Sequence, residues 1–267
     1  MKNLLVFLSI TFALFACNQT VKLDLPPHES LMAVEFYLEN GKPLQCLLQE
    51  SVSFTATPQN PLIANALVIL SYNGIRDTLK PTLIADTLLR KVYNYASPKI
   101  MLAQLSTKYE LYIRDTKGRV ITGSTQFLEP IRISKYEPAF NSKDSASIGV
   151  FFNDPAGVDN FYRALAYKQK LRPEIKGRAD IELQDLAFDG QSFGFYTGYV
   201  FAKKDTITMR LYSLLPEHFA YIESVEDAVR ANINPFAQPA TILSTVKGGV
   251  GVFTTLNFDE KTDIILK

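Results

Sequence analysis

Apolar and polar residues alternate along much of the chain, which is the pattern of half-buried β-strands. Residues 31–50 alternate on both sides of Asn40-Gly41, and an Asn-Gly pair in this setting is the strongest short-range signal for a β-hairpin. A further strand is predicted at 66–72, and another hairpin turns at Lys117-Gly118. Short strands joined by such turns predict an antiparallel β-sandwich, immunoglobulin-like or transthyretin-like, at residues 31–130.

Strand-like runs continue after residue 130, and we expect a second β-rich domain at 131–267. These runs are rich in β-branched and aromatic residues. They lie at residues 146–154, 160–170, 184–190, 196–203 and 205–214. The stretch 169–182 is polar and is interpreted as a loop.

One segment of the second domain has helical rather than β periodicity. Phe219, Ile222 and Ala228 recur at helical spacing. Pro216 suits the start of a helix, and an Asn-Pro pair ends the pattern. The sequence therefore predicts one α-helix at about 217–231 in a mainly β protein.

The first residues read as a targeting segment. Lys2 precedes an apolar run at 4–15, which is shorter than the roughly 20 residues a membrane-spanning helix needs. The run fits a cleaved signal peptide at residues 1–16. It ends in Leu14-Phe15-Ala16-Cys17, which resembles the bacterial lipobox. We therefore expect lipidation at Cys17, followed by a tether at 17–30; the alternatives are a plain secretory signal and an uncleaved anchor.

Charge and cysteine content exclude several classes of protein. Lys2 is the one charged residue of the predicted signal peptide, so the mature chain has 27 basic and 27 acidic residues. This balance argues against a nucleic-acid partner, which requires a basic surface. With Cys17 lipidated, Cys46 is the one remaining cysteine, and we expect it to be a buried apolar residue rather than a nucleophile.

Two short motifs have both a chemical and a structural interpretation. Asp154-Pro155-Ala156-Gly157 with Asp159 could offer oxygen ligands to calcium, but a turn stabilised by Asp side chains fits better. Arg163 is expected to pair with one of these acids. Gly248-Gly249-Val250-Gly251 suggests a phosphate loop, yet no helix pattern follows it, and close backbone contact within a sheet is the preferred interpretation.

Histidine is too sparse for a recognisable catalytic or zinc site. His28 lies in the tether, and His218 near the helix start is expected to be a surface or capping residue. A zinc site needs three or four ligands, and a triad needs an acid and a nucleophile beside its histidine. We therefore predict no metal, no cofactor and no enzymatic activity.

Several ordered motifs together resemble one protein family. Asp154-Pro155-Ala156-Gly157 precedes Asn160-Phe161-Tyr162-Arg163, and Asn234-Pro235-Phe236 precedes Gly249-Val250-Gly251-Val252-Phe253. With the lipobox, this order is similar to a family of Bacteroidetes lipoproteins, domain-of-unknown-function family 4249. The resemblance implies an outer-membrane lipoprotein held in lipid through Cys17. It also implies an outer-membrane barrel partner, a TonB-dependent transporter.

Three functions remain open on the sequence alone. The preferred one is a non-catalytic accessory or ligand-capture lipoprotein of such a transporter. The alternative is a free-standing lipoprotein that binds a glycan or a peptide, which predicts a cleft lined by Tyr or Phe. The third is a hydrolase that uses carboxylates alone. The candidate interaction surface comprises Tyr162, Pro235 and Phe236, since rigid aromatic residues are favoured at interfaces.

Overall fold

The computed structural model describes residues 29–53, 61–86, 91–168, 177–234, 238 and 240–266. The predicted signal peptide, most of the tether, Cys17, Pro235 and Phe236 lie outside these ranges. Among the described residues no helix is both long enough and apolar enough to cross a membrane.

The described residues form sixteen strands and one α-helix, so the prediction of a mainly β protein with a helix is confirmed. The strands are β1 (Met32–Glu39), β2 (Pro43–Glu50), β3 (Leu67–Tyr72), β4 (Ile75–Asp86), β5 (Lys91–Ile100), β6 (Lys108–Arg114), β7 (Val120–Gln126), β8 (Ile133–Phe140), β9 (Ser145–Asn153), β10 (Phe161–Lys168), β11 (Arg178–Gln184), β12 (Ser192–Tyr196), β13 (Phe201–Ala202), β14 (Thr206–Leu214), β15 (Val246–Lys247) and β16 (Val250–Ile264). Helix α1 spans Pro216–Ile233, close to its predicted bounds.

Twelve strands form one sheet, in the order β11-β10-β14-β16-β1-β2-β5-β4-β3-β6-β7-β15. Strand β9 pairs with β8, β12 and β13 in a smaller sheet. The predicted hairpins at Asn40-Gly41 and Lys117-Gly118 join β1 to β2 and β6 to β7. In β1, Met32, Val34 and Phe36 are buried while the residues between them are half-buried, because successive side chains point to opposite faces of a sheet.

Strand β16 connects the N-terminal and C-terminal parts of the chain. Its first half, up to Leu256, runs parallel to β1, and its second half, from Asn257, pairs antiparallel with β14. The division of the chain into two domains at residue 130 stays a prediction. Strand β16 pairs with one strand that precedes residue 130 and with one that follows it.

Close backbone packing explains the glycine at the start of β16. Gly251 has a φ of +116°, and a Cβ added to it would lie 2.0 Å from the carbonyl oxygen of Val34 in β1. Only glycine combines this backbone angle with such an approach. The interpretation of the glycine run as close sheet packing is thus confirmed.

The apolar side chains gather in three clusters. One fills the N-terminal sandwich and includes Phe36, Tyr95 and Phe253. A second lies between β9 of the small sheet and strands β10 and β14 of the large one. The third lies under helix α1, on the opposite face of β10 and β14, and includes Leu165 and Phe219.

Two predictions about the second half of the chain were wrong. Residues 178–184 are strand β11 rather than loop, and 185–187 form a 3₁₀ turn within a predicted strand. Strand β11 escapes detection because its polar residues pair with charges on β10 instead of facing water. Asp185 is buried in the turn, where its side chain accepts the backbone N–H of Asn160.

Candidate functional site

A cleft lies on the face of the large sheet beside helix α1. Its volume is about 380 Å³, and its lining comes from both halves of the chain. Strands β1, β2 and β5 contribute one wall, and β10, β11 and β14 contribute the other. Because β16 lies between β1 and β14 and pairs with both, residues far apart in sequence meet there.

Strand alternation selects the side chains that face the cleft. In β10, Arg163, Leu165 and Tyr167 line it, whereas Tyr162 and Ala164 point into the core of the second half. The register between neighbouring strands then decides which of these side chains lie opposite one another. Arg163 lies opposite Glu182 on one side and Tyr212 on the other, and Tyr167 lies between Arg178 and Thr208.

Four tyrosines line the cleft: Tyr37, Tyr93, Tyr167 and Tyr212. Burial raises the pKa of Tyr93 to about 12 and also raises the pKa values of the other three. Each hydroxyl therefore stays protonated at neutral pH, so it can both donate and accept a hydrogen bond. Tyr37 and Tyr167 are only half-buried, which leaves part of each ring open to a ligand.

Carboxylates hold four of the five basic side chains of the cleft, and Arg163, Arg178 and Lys91 are three of these four. Arg163 donates from both Nε and Nη2 to the two oxygens of Asp180, each at 2.7 Å. Arg178 also donates to Asp180, at 2.6 Å. Lys91 forms an ion pair with Glu35 and lies 5.0 Å from the centre of the Tyr37 ring. These pairs fix the long side chains in place.

Arg210 lies at the centre of the cleft floor. Its Nη1 donates to Glu39 at 2.9 Å and its Nε to Glu260 at 2.6 Å. The guanidinium also lies 4.7 Å from the ring centre of Phe258 and 5.7 Å from that of Tyr167. Burial raises the pKa of Glu39, and the positive charge of Arg210 offsets part of that shift.

His218 lies in the first turn of helix α1 and is buried rather than on the surface, so its predicted surface or capping role was wrong. It is 1% exposed, and its ring centre lies 5.8 Å from that of Tyr37. Burial, together with the positive charges of Arg163 and Lys91, lowers its pKa to about 3. Nδ1 has no hydrogen-bond partner among the described residues. The helix turns this residue toward the sheet together with Phe219.

The arrangement can hold a polar organic molecule by stacking and hydrogen bonding. Tyrosine rings provide flat apolar surfaces with polar edges. Guanidinium and carboxylate groups provide fixed donors and acceptors. A concave pocket with convergent polar groups is where a ligand site is expected.

A second, more open groove of about 680 Å³ runs between the two halves of the chain. Its walls come from β6 and β7 on one side and from residues 158–162 and 213–217 on the other. Tyr162, a residue of the predicted interaction surface, lies at this groove but is only 2% exposed. Its hydroxyl donates to Asp154, so its ring belongs to the protein core.

The predicted aspartate turn is tied to a second loop. Asp154 accepts the N–H of Gly190, and Asp189 accepts that of Gly157. With Asp185, these carboxylates offer oxygens within 4.8 Å of one another, which is close enough to hold a cation. Gly157 has a φ of +85°, as the turn interpretation requires, but Asp154 and Asp189 each accept a hydrogen bond from the opposite loop, so these side chains join two loops instead of stabilising one turn. Arg163 pairs with Asp180 and Glu182 instead of this turn, contrary to the prediction.

The residues of the cleft were not predicted from the sequence. Cys46, by contrast, is fully buried as predicted, and burial raises the pKa of its thiol. The signal for the cleft was present in β10 and β14, where Arg and Tyr occupy one face of strands whose other face is apolar. Such a face is usually solvent-exposed, and nothing local distinguishes a cleft wall from an outer surface.

Comparisons with solved structures give only remote likenesses. Two chains described as cytokine receptor complexes, crystal forms 1A and 2, are 12% and 9% identical to this chain. They match 70% and 67% of this chain and 86% and 90% of their own length, with TM-scores of 0.27 and 0.26. Dimeric latent PorU from Porphyromonas gingivalis is 12% identical, over 70% of this chain and 19% of its own length, with a TM-score of 0.22. TM-scores this low do not establish a shared fold.

A match to a protein family covers more of the chain than the solved structures do. No curated protein matches the sequence. Residues 18–262 match a family described as a domain of unknown function, DUF4249. The match covers both halves of the chain and all strands of the cleft except the last two residues of β16. The chain therefore belongs to the DUF4249 family.

Proposed function

We propose that this protein is a non-catalytic ligand-binding lipoprotein of the cell envelope, and that the tyrosine-lined cleft is its binding site. The observation that carries the proposal is the convergence of four tyrosines and a fixed network of charged side chains in one concave site. A free-standing binder predicts such a cleft.

Lipid anchoring through Cys17 is the second part of the proposal. The apolar run at 4–15 and the lipobox-like end support it. The sequence contains two cysteines, and Cys46 is fully buried, so Cys17 is the candidate for acylation. Two or more acyl chains hold a protein stably on a membrane, whereas one gives only marginal binding.

The third part is the partner: the anchored protein delivers its ligand to a TonB-dependent transporter of the outer membrane. This step is supported by the family resemblance of the sequence motifs. Purification of a tagged protein from native membranes in mild detergent tests it. A transporter that co-elutes stoichiometrically supports the partnership, and a protein that elutes alone contradicts it.

Binding in the cleft is tested with a panel of oligosaccharides and short peptides, using thermal shift and then calorimetry. Tyr167→Ala removes a half-buried ring of the cleft, and Lys42→Ala removes an exposed side chain at its rim. Tyr199→Ala and Lys203→Ala are matched controls on exposed sites outside the lining. Binding that is lost in the cleft variants and kept in the controls supports the site. Binding that survives both cleft variants, or no binding at all, contradicts it.

Anchoring is tested by fractionation of cells that express Cys17→Ala or Cys46→Ala. The first variant is expected to leave the membrane fraction, because it lacks the acceptor thiol. The second keeps that thiol and is expected to stay membrane-bound. Equal membrane retention of both variants would overturn the lipoprotein assignment.

A further inference from the structure

We infer that the ligand of the cleft is an uncharged, hydroxyl-rich saccharide rather than a charged peptide or an anionic sugar. This inference rests on the proposed function and specifies the chemistry of the same site. Three features of the described residues carry it: the charge balance of the cleft, the state of its guanidinium groups and the placement of its tyrosine rings.

The first feature is the near-zero charge of the cleft and its immediate partners. Its lining has five basic side chains: Lys42, Lys91, Arg163, Arg178 and Arg210. The lining itself has two acidic side chains, Glu39 and Asp86, and the carboxylates paired with its basic groups add four more: Glu35, Asp180, Glu182 and Glu260. A site that selects ions by charge has a clear excess of the opposite sign. This cleft gives a charged ligand no such advantage.

The second feature is that the guanidinium groups already have partners. Arg163 uses Nε and Nη2 on Asp180, and Arg210 uses Nε and Nη1 on Glu260 and Glu39. A ligand carboxylate or phosphate would therefore meet guanidinium groups whose positive charge is already offset by protein carboxylates. A sugar hydroxyl needs no net positive charge, since it can accept from a remaining N–H and donate to a carboxylate lone pair.

The third feature is the contact between two tyrosine rings and cations of the cleft lining. The guanidinium of Arg210 lies 5.7 Å from the ring centre of Tyr167, and Nζ of Lys91 lies 5.0 Å from that of Tyr37. These cations hold both rings in place, and both rings are half-buried. A held, partly open ring is a platform for the apolar C–H face of a sugar, while its hydroxyl bonds to the sugar edge.

The test compares three probe sets at two salt concentrations. They are neutral hexasaccharides of glucose, xylose and mannose; oligouronates of matched length; and hexapeptides of net charge +2, 0 and −2. Affinity is measured by calorimetry on the full mature chain, alongside Tyr167→Ala and Tyr199→Ala. We expect a neutral saccharide to bind, with a dissociation constant that changes less than twofold between 50 and 500 mM NaCl. Tyr167→Ala should weaken this binding at least tenfold, and Tyr199→Ala should leave it within twofold of wild type.

Other outcomes separate this inference from the proposed function. If oligouronates or peptides bind in the cleft, and Tyr167→Ala abolishes that binding, the saccharide inference is wrong and the binding function stands. A steep salt dependence would likewise contradict the inference, because it reveals an ionic ligand. If no probe binds, or if Tyr167→Ala has no effect on any of them, both the inference and the cleft assignment fail.

Discussion

Nη1 of Arg210 donates a 2.9 Å hydrogen bond to Oε1 of Glu39, a residue 171 positions earlier in the sequence. This contact joins β14 to β1 across the intervening strand β16. Both side chains are largely shielded from water, at 11% and 19% exposure. The ion pair therefore connects the two halves of the chain at the floor of the cleft.

Arg210→Met should lower the free energy of unfolding by about 3 kcal/mol at pH 8, since it leaves the Glu39 carboxylate buried without its cation. Burial already raises the pKa of Glu39 in the folded protein. A carboxyl whose pKa is higher in the folded than in the unfolded protein stabilises the fold at low pH. This contribution is lost as pH rises from the unfolded pKa through the folded one. Urea denaturation should thus show a smaller loss at pH 4.5 than at pH 8. The variant Arg210→Met/Glu39→Gln should recover part of the loss, and an equal loss at both pH values would contradict this account.

His218→Leu should weaken the acid sensitivity of the fold. The pKa of His218 is lowered to about 3 in the folded protein. Below pH 6.5 the unfolded chain therefore binds a proton at His218 that the folded chain does not bind. Its contribution to stability is therefore present above pH 6.5 and falls by about 1 kcal/mol per pH unit as pH drops toward 3. The difference in unfolding free energy between His218→Leu and wild type should grow in favour of the variant over this range. Parallel pH curves for the two proteins would show that His218 does not titrate as described.

Gly251→Ala should destabilise the protein by more than about 2 kcal/mol, because the added Cβ meets the carbonyl oxygen of Val34 at a backbone angle that strains any L-residue. Gly41→Ala is the matched control. Gly41 also has a positive φ, of +78°, but nothing lies within 4 Å of its added Cβ. The control should cost about 1 kcal/mol, from the backbone angle alone. Similar losses for both variants in urea denaturation would contradict the close approach of β16 to β1.

Tyr162→Phe should lower the unfolding free energy by about 1–3 kcal/mol, since it leaves the buried Asp154 carboxylate without its hydroxyl donor. Tyr196→Phe removes a comparable hydroxyl, which donates to Glu137 at 2.9 Å on an exposed surface. That control should leave stability nearly unchanged, because water replaces the lost partner. Thermal denaturation of both variants gives the comparison. A Tyr162→Phe protein as stable as the control would show that the Asp154 contact does not hold the loop.

Local patterns accounted for most of the individual elements. The Asn40-Gly41 hairpin, the helix after Pro216 and the burial of Cys46 follow from alternation, periodicity and turn chemistry, which act over a few residues. Strand β11 was missed because its polar residues bond to Arg163 on the neighbouring strand and to one another along β11. A local pattern cannot distinguish a residue with a distant ion partner from one in water.

The sequence by itself determined the strand content, the helix, the main hairpins and the family of this protein. These features depend on short-range geometry and on ordered motifs. Only the tertiary structure decided that β16 would pair with both β1 and β14, and hence that Glu39, Arg210 and Tyr167 would share one cleft. Which strands meet depends on packing across the whole chain, and side chains on the outer face of a strand show the same sequence pattern whether they face water or a binding site.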